Sequence, residues 1–259
     1  MAHDVCRQAL KKHLGEAAFK GKSPNAGLLL RRGMTHYDGG KNKGDAGKGG
    51  STKQQLIEHI AELTPSLLYR TAFRRWQQAT SDATRFSAFD ATLDGRLYIG
   101  VSRESALETG LTVHHAYGMP MIPGSALKGL ARAVARARLG ERDDAITWLF
   151  GADTHADDAE AGGLVFHDAW WVPEGDAKPF VAEVVTPHHR DYYQGKGKPA
   201  TDFDDPVPAP QIAVQGQFHF VLEGEPAWGT LACSLLKSAM AERGIGGKRS
   251  SGYGYFSTT

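Results

Sequence analysis

The sequence predicts an α+β fold of the ferredoxin-like kind, one domain over residues 1–259, and three observations carry that expectation. Beyond residue 84 the hydrophobic periodicity runs strand, helix, strand, strand, helix, strand, the split βαβ arrangement. Each helical stretch has one apolar stripe, Leu127, Leu130, Ala131 and Val134 in the first and Leu231, Leu235, Leu236, Ala239 and Met240 in the second. Such helices bury one side and leave the other to solvent. Hydrophobic residues make up 41% of the 259 and charged residues 23%, a composition able to bury a real core. Residues 85–257 are expected to form that core, with residues 1–84 as a helical extension.

The elements follow in order. Residues 3–19 read as a short helix, Ser23-Pro24-Asn25 as a turn, and Leu28-Leu29-Leu30 as an apolar run ending in Arg31-Arg32. Residues 38–52 (DGGKNKGDAGKGGST) have no apolar side chain larger than alanine. Burial cannot offset their ordering entropy, so a flexible basic loop is expected. Helices over 53–63 and 66–79 are separated by Pro65, which disfavours helical geometry in the residue before it. Leu97, Ile99 and Val101 alternate with Arg96, Tyr98 and Gly100, so residues 94–101 read as a strand. Pro123-Gly124-Ser125 opens the clearest helix, capped by Ser125 and running to Leu139. Residues 163–172 (GLVFHDAWWV) and 179–186 read as strands. Residues 187–211 hold five of the twelve prolines and are expected to form an insertion outside any central sheet. A strand over 215–222, a helix over 230–243 stopped by Gly244, and a last strand over 252–256 complete the chain.

Composition narrows function mainly by exclusion. Thirty basic residues against twenty-nine acidic ones give a formal net charge of +1, so any attraction to a polyanion must be local. Cys6 and Cys233 lie far apart without a CxxC or a spaced histidine partner, which indicates neither a disulfide framework nor a zinc site. No apolar run approaches the roughly 20 residues of a membrane span. The start, MAHDVCRQAL, lacks the apolar core of a signal peptide, and a cytoplasmic protein with no membrane partner is expected.

The strongest motif is GIGGKRSSGYG, residues 244–254. Without Cβ atoms, a backbone such as that of Gly246, Gly247 and Gly252 can approach a phosphate closely, and the adjoining Lys248 and Arg249 reinforce an anion site. It is not a Walker A loop, because Gly247-Lys248 is followed by Arg249; GxGxxG fails as well, since position 249 is not glycine. A helix cap followed by a tight turn explains the same residues. The helix opened by Ser125 places Lys128, Arg132 and Arg136 four residues apart on one face, with no acid before Glu141. A solvated face normally mixes signs, so contact with a nucleic-acid backbone stands beside plain solvation here. His114-His115 with Tyr117, and His188-His189-Arg190 with Tyr192-Tyr193, are polar-aromatic clusters able to stack on unpaired bases and contact phosphates. The acids Asp143-Asp144, Asp153, Asp157-Asp158 and Asp202-Asp204-Asp205 fall in polar loops, where solvation is the ordinary role.

IPGSALKG (residues 122–129), LFG (149–151) and the terminal GIGGKRSSGYG, in this order and spacing, resemble the RAMP superfamily of CRISPR-associated proteins. Within it, TGLTVHHAYGMPMIPGSALKG, VVTPHHRDYYQG and GIGGKRSSGYGYF are most similar to the sixth-subunit family of the Cmr-type (type III-B) effector complexes, over residues 85–257. The resemblance implies a RAMP fold that binds guide RNA near its 3′ end. It implies contacts with the repeated backbone subunit, the small helical subunit and a second terminal RAMP subunit, with target RNA met only indirectly. It implies no catalytic site, no metal and no cofactor. Backbone subunits of the superfamily usually carry an acid shortly before their IPGS motif, where this chain has His114-His115-Ala116-Tyr117, and that departure favours a non-catalytic role. Carried over residue by residue, Ser125, Lys128 and Arg132 match helix positions that face RNA, and Gly246, Gly247, Lys248, Arg249 and Gly252, with Tyr253 beside them, match the glycine-rich loop.

Three functions compete on these residues. A binding subunit grips RNA through phosphates and shows salt-sensitive affinity. A metal-independent endoribonuclease that processes CRISPR repeats would use His114 or His188 as base and leave a cyclic phosphate. A metal-dependent nuclease would use the loop aspartates and stop on chelation.

Overall fold

The structure, a computed structural model of the chain, describes residues 3–4, 25–34, 36–37, 52–101, 110–140, 144–152, 161–186, 195, 199, 201 and 208–257. Strands His3–Asp4 (β1) and His36–Tyr37 (β2) pair antiparallel. Between them in sequence lies the helix Ala26–Arg32 (α1), whose first turn is capped by the Asn25 side chain accepting from the Leu28 amide. The predicted helix over 3–19 therefore does not include residues 3–4, and its remainder lies outside the described residues. So does the predicted loop, except for Thr52, which opens a helix.

Helices Thr52–Ala61 (α2) and Leu67–Ala79 (α3) flank Pro65 as expected, and Ser66 caps α3 by accepting from the Tyr69 amide at 3.2 Å. The next strand is Phe86–Leu93 (β3), not residues 94–101. Leu97 and Tyr98 each make only a single bridge, to Val214 and to Gly247. Both are buried, and Gly100 turns the chain with φ +80°, so the apparent alternation belongs to a cross-connection instead of a ladder.

Met121–Ile122 (β4) leads into Gly124–Leu139 (α4), followed by Asp144–Phe150 (α5). The predicted strand over 163–172 is broken into Val165–Phe166 (β5) and Ala169–Trp171 (β6). The break falls at His167-Asp168, where Asp168 turns away to accept the Gly124 amide at 2.8 Å. Phe180–Val185 (β7) and Ala209–Val214 (β8) form a separate two-stranded sheet. The proline-rich insertion thus gives its residues 209–211 to β8, and Pro210 is tolerated on a two-stranded ribbon because one side of each strand needs no ladder donor. Gln217–Glu223 (β9), Pro226–Arg243 (α6), a 3₁₀ turn at Arg249–Ser251 and Phe256–Ser257 (β10) end the described chain.

The central sheet has the order β10-β3-β9-β6-β4, with β5 also on β9, and all its pairs are antiparallel. Counting only the strands around α4 and α6, the order is fourth, first, third, second, an α+β arrangement. One face of β9 presents Phe218, Phe220 and Leu222 to α6. There Phe89 stacks on Phe220 at 4.8 Å, and Phe256 meets Phe218 and Phe220 edge-on. Helix α6 approaches β3 closely at Gly229, where a Cβ would meet the Ser87 hydroxyl at 2.3 Å.

The opposite face is covered by α3, which sequence reading placed only in an extension. Tyr69 and Trp76 lie nearly parallel to Trp170 at 5.8 and 6.0 Å, and Phe73 sits edge-on to His219. The Tyr69 hydroxyl donates to the Trp171 carbonyl at 2.6 Å, and Arg70 donates to the carbonyls of Pro173 and Gly175. The amphipathic α3 is thereby fixed to the sheet by rings and by backbone acceptors. No helix among the described residues is long and apolar enough to cross a membrane.

Candidate nucleic-acid interface

The glycine-rich loop begins where α6 stops. Gly244, at φ +64°, donates to Met240, and the Ile245 amide donates to the Gly254 carbonyl at 2.8 Å, closing the loop at its neck. Gly254 has φ +80°, and a Cβ there would lie 1.9 Å from the Ile245 carbonyl oxygen, so no side chain fits. At Gly246 a Cβ would meet the Tyr98 carbonyl oxygen at 2.3 Å, and that oxygen accepts the Gly247 amide at 2.7 Å. Lys248 is the one non-glycine residue with positive φ among the described residues, at +57°.

This geometry settles which amides are used. Those of Gly247, Ser251, Gly252, Tyr253 and Gly254 have backbone acceptors. The amides of Lys248, Arg249 and Ser250, three in succession, have none among the described residues. A left-handed residue followed by right-handed ones turns consecutive N–H groups toward one concavity, a nest for an anion. Arg249 and Ser250 are exposed and Lys248 is half-buried.

Beneath the loop, Glu183 of β7 acts as a hub. It accepts from the hydroxyls of Tyr253 at 2.8 Å and Tyr98 at 3.3 Å, and pairs with Arg96 at 3.3 Å. The Lys248 ammonium lies over the Tyr98 ring at 4.9 Å, a cation–π contact. Burial lowers the Lys248 pKa, and the charge of Glu183 partly opposes that. Burial first, then Glu183, raises the Tyr98 pKa, while for Tyr253 the hydrogen bond to Glu183 is the larger cause of its rise. Both phenols therefore stay protonated as donors.

Helix α4 is arranged differently. Its N-cap is Pro123 and no side chain caps it, so Ser125 is an exposed residue inside the first turn and not the predicted cap. The Gly124 amide is taken by the Asp168 carboxylate. An acid at a helix N-terminus is favourable for the helix and unfavourable for a second anion there. Lys128, Arg132 and Arg136 are half-buried; Arg132 reaches the Gly151 carbonyl at 3.4 Å, and nearby Arg138 pairs with Glu242 of α6 at 2.7 Å.

His114 packs within the aromatic cluster, 4.5 Å from the Tyr117 ring and 4.9 Å from Trp170, and its Nδ1 accepts the Ala116 amide. Burial lowers its pKa, opposed by Asp168 and helped by His115. His115 is exposed, and its carbonyl accepts from Asn25. His188, His189 and Arg190 lie outside the described residues, as do the loop acids other than Asp144, which opens α5. Sequence reasoning missed Glu183, Arg96 and Asp168 as organisers. Each acts on partners far along the chain, 44 positions away for Asp168 on Gly124 and 87 for Glu183 on Arg96, and no local pattern signals such a contact.

The RAMP superfamily profile matches residues 90–257. The CRISPR system Cmr subunit Cmr6 of Pyrococcus furiosus is 26% identical, the match covering 61% of this chain and 64% of that protein. The Cmr6 subunit of Saccharolobus solfataricus is 28% identical over 65% of this chain and 56% of its own length. The chain thus spans less than two thirds of either relative. A chain from a cryo-EM structure of the type III-B Cmr-beta complex bound to cognate target RNA shares the fold, with a TM-score of 0.64 at 23% identity, covering 79% of this chain and 70% of that one.

Proposed function

Because the chain belongs to the RAMP superfamily, we propose that it is a non-catalytic RNA-binding subunit of a type III-B (Cmr) effector ribonucleoprotein. In this reading it grips the guide RNA near its 3′ end and meets target RNA only through the particle. It assembles with the backbone RAMP subunit, the small helical subunit and a second terminal RAMP subunit. The observation that carries the reading is the loop: three consecutive amides without acceptors among the described residues, beside Lys248 and Arg249, on a backbone held by Tyr98 and Glu183. Such a site takes a phosphate without reading a base, which suits a guide of variable sequence. The two Cmr6 relatives and the Cmr-beta likeness point to the same kind of particle.

The packing of His114 weighs against its use as a general base for repeat processing. Its Nδ1 already has a donor, and two aromatic rings hold the imidazole. The test is to incubate the full chain with labelled guide RNA, with and without divalent metal, and to follow both retention and integrity on gels. Retained, intact RNA under every condition is expected. Cleavage without metal would replace this reading with the processing enzyme, and cleavage abolished by chelation would replace it with a metal-dependent nuclease.

A further inference from the structure

The sheet face opposite α6 holds a second feature that the phosphate loop does not use. Between α3 and the strand carrying Trp170 lies a groove of about 300 Å³, lined by Trp76, Trp170 and Tyr117 together with Leu68, Thr71 and Ala72 of the helix. Three flat rings line it, and the half-buried Trp76 and Tyr117 keep part of their surface open. No acid lines it, and Arg75 stands exposed at its rim. Helix α3 as a whole carries Arg70, Arg74 and Arg75 and no acidic residue. Arg70 is engaged with carbonyls, whereas Arg74 and Arg75 extend into solvent.

Trp76 adds an independent clue. Its indole N–H is buried with no acceptor among the described residues. A tryptophan placed only to fill a core normally finds a partner for that group. Its ring is instead held face-on to Trp170 and edge-on to His167.

We propose that this groove receives an unpaired base of the bound RNA, stacked among Trp76, Trp170 and Tyr117, with Arg75 on an adjoining phosphate. Flat aromatic walls beside cations are the pattern by which proteins hold single-stranded nucleic acid without regard to sequence. The charge of α3 favours this occupant over a protein segment, which would need acids to match it. The inference rests on the RNA-binding reading and extends it to a second site.

The test uses the full chain and a single-stranded RNA of about 16 nucleotides carrying 4-thiouridine, photocrosslinked and mapped by mass spectrometry. Crosslinks on peptides containing Trp76 or Tyr117, besides those at the loop, are expected. Arg75→Glu, at an exposed position, should remove the groove crosslinks, keep those at the loop, and weaken binding roughly 5-fold, about the effect of one stacked base. Trp76→Leu should do the same if the chain folds, and Arg75→Glu decides the matter if it does not. RNA bound with loop crosslinks only would overturn this inference and leave the function proposed above intact. Failure to bind RNA at all would overturn both. If Arg75→Glu leaves RNA affinity unchanged and instead detaches the chain from other subunits, the groove takes a protein segment and the inference fails.

Discussion

The glycine-rich loop and helix α4 carry the same sequence signal, cations clustered without acids, yet the structure treats them in opposite ways. In the loop the backbone is committed to Tyr98 and to its own neck, and three amides beside Lys248 and Arg249 have no acceptor among the described residues. On α4 the end amide is given to Asp168, Arg132 reaches the Gly151 carbonyl, and Arg138 clasps Glu242. Charge spacing alone therefore does not tell the two regions apart. What separates them is donors without acceptors among the described residues, held in place in the loop by contacts that do not consume them.

That contrast can be broken most severely at Gly254. Gly254→Ala forces a Cβ against the Ile245 carbonyl in a left-handed residue and should cost about 2–4 kcal/mol, with loss of RNA binding, read from denaturant unfolding and filter binding. Glu183→Ala should come next. It leaves two phenol hydroxyls without their acceptor and Arg96 without its ion pair, costs about 1–3 kcal/mol, and weakens RNA binding through the disordered loop. Glu183→Gln, which still accepts from the phenols, should retain most of the stability.

On the other side of the comparison, Asp168→Ala removes the partner of the Gly124 amide and should destabilise α4 by about 1 kcal/mol, while raising slightly the affinity of that helix end for anions. The smallest effect concerns pH. Only the ammonium form of Lys248 attracts a phosphate, and burial lowers its pKa. Loop affinity should therefore begin to fall as pH rises toward, but still below, the ordinary lysine value of about 10.4, and the fall should be absent in Lys248→Ala.

Elements with strong local signals were legible in the sequence. The periodic stripes of α4 and α6, the Pro65 boundary between α2 and α3, and the glycine stop at Gly244 all depend on neighbours in the chain. The RAMP resemblance read from IPGSALKG and GIGGKRSSGYG is matched by the family profile over residues 90–257. What escaped depends on distant partners. Strand β3 reads poorly because Ser87 and Phe89 face α6 while Asp90 turns to His219, so its two faces do not separate by polarity. Strands β5 and β6 looked continuous because nothing near Asp168 foretells that its carboxylate leaves the sheet for Gly124. Tyr98 alternates in the sequence with the apolar Leu97, Ile99 and Val101, yet its own ring is buried and supports Lys248, and its carbonyl anchors Gly247.

The most direct test compares the salt dependence of guide-RNA affinity for Lys248→Ala/Arg249→Ala with that for Lys128→Ala/Arg136→Ala. Each phosphate contact on a single strand contributes roughly 0.7 to the slope of log affinity against log salt, so the loop change should flatten the slope by about 1.4. The helix change should leave it nearly as it was. A slope flattened by the helix change and untouched by the loop change would contradict the account.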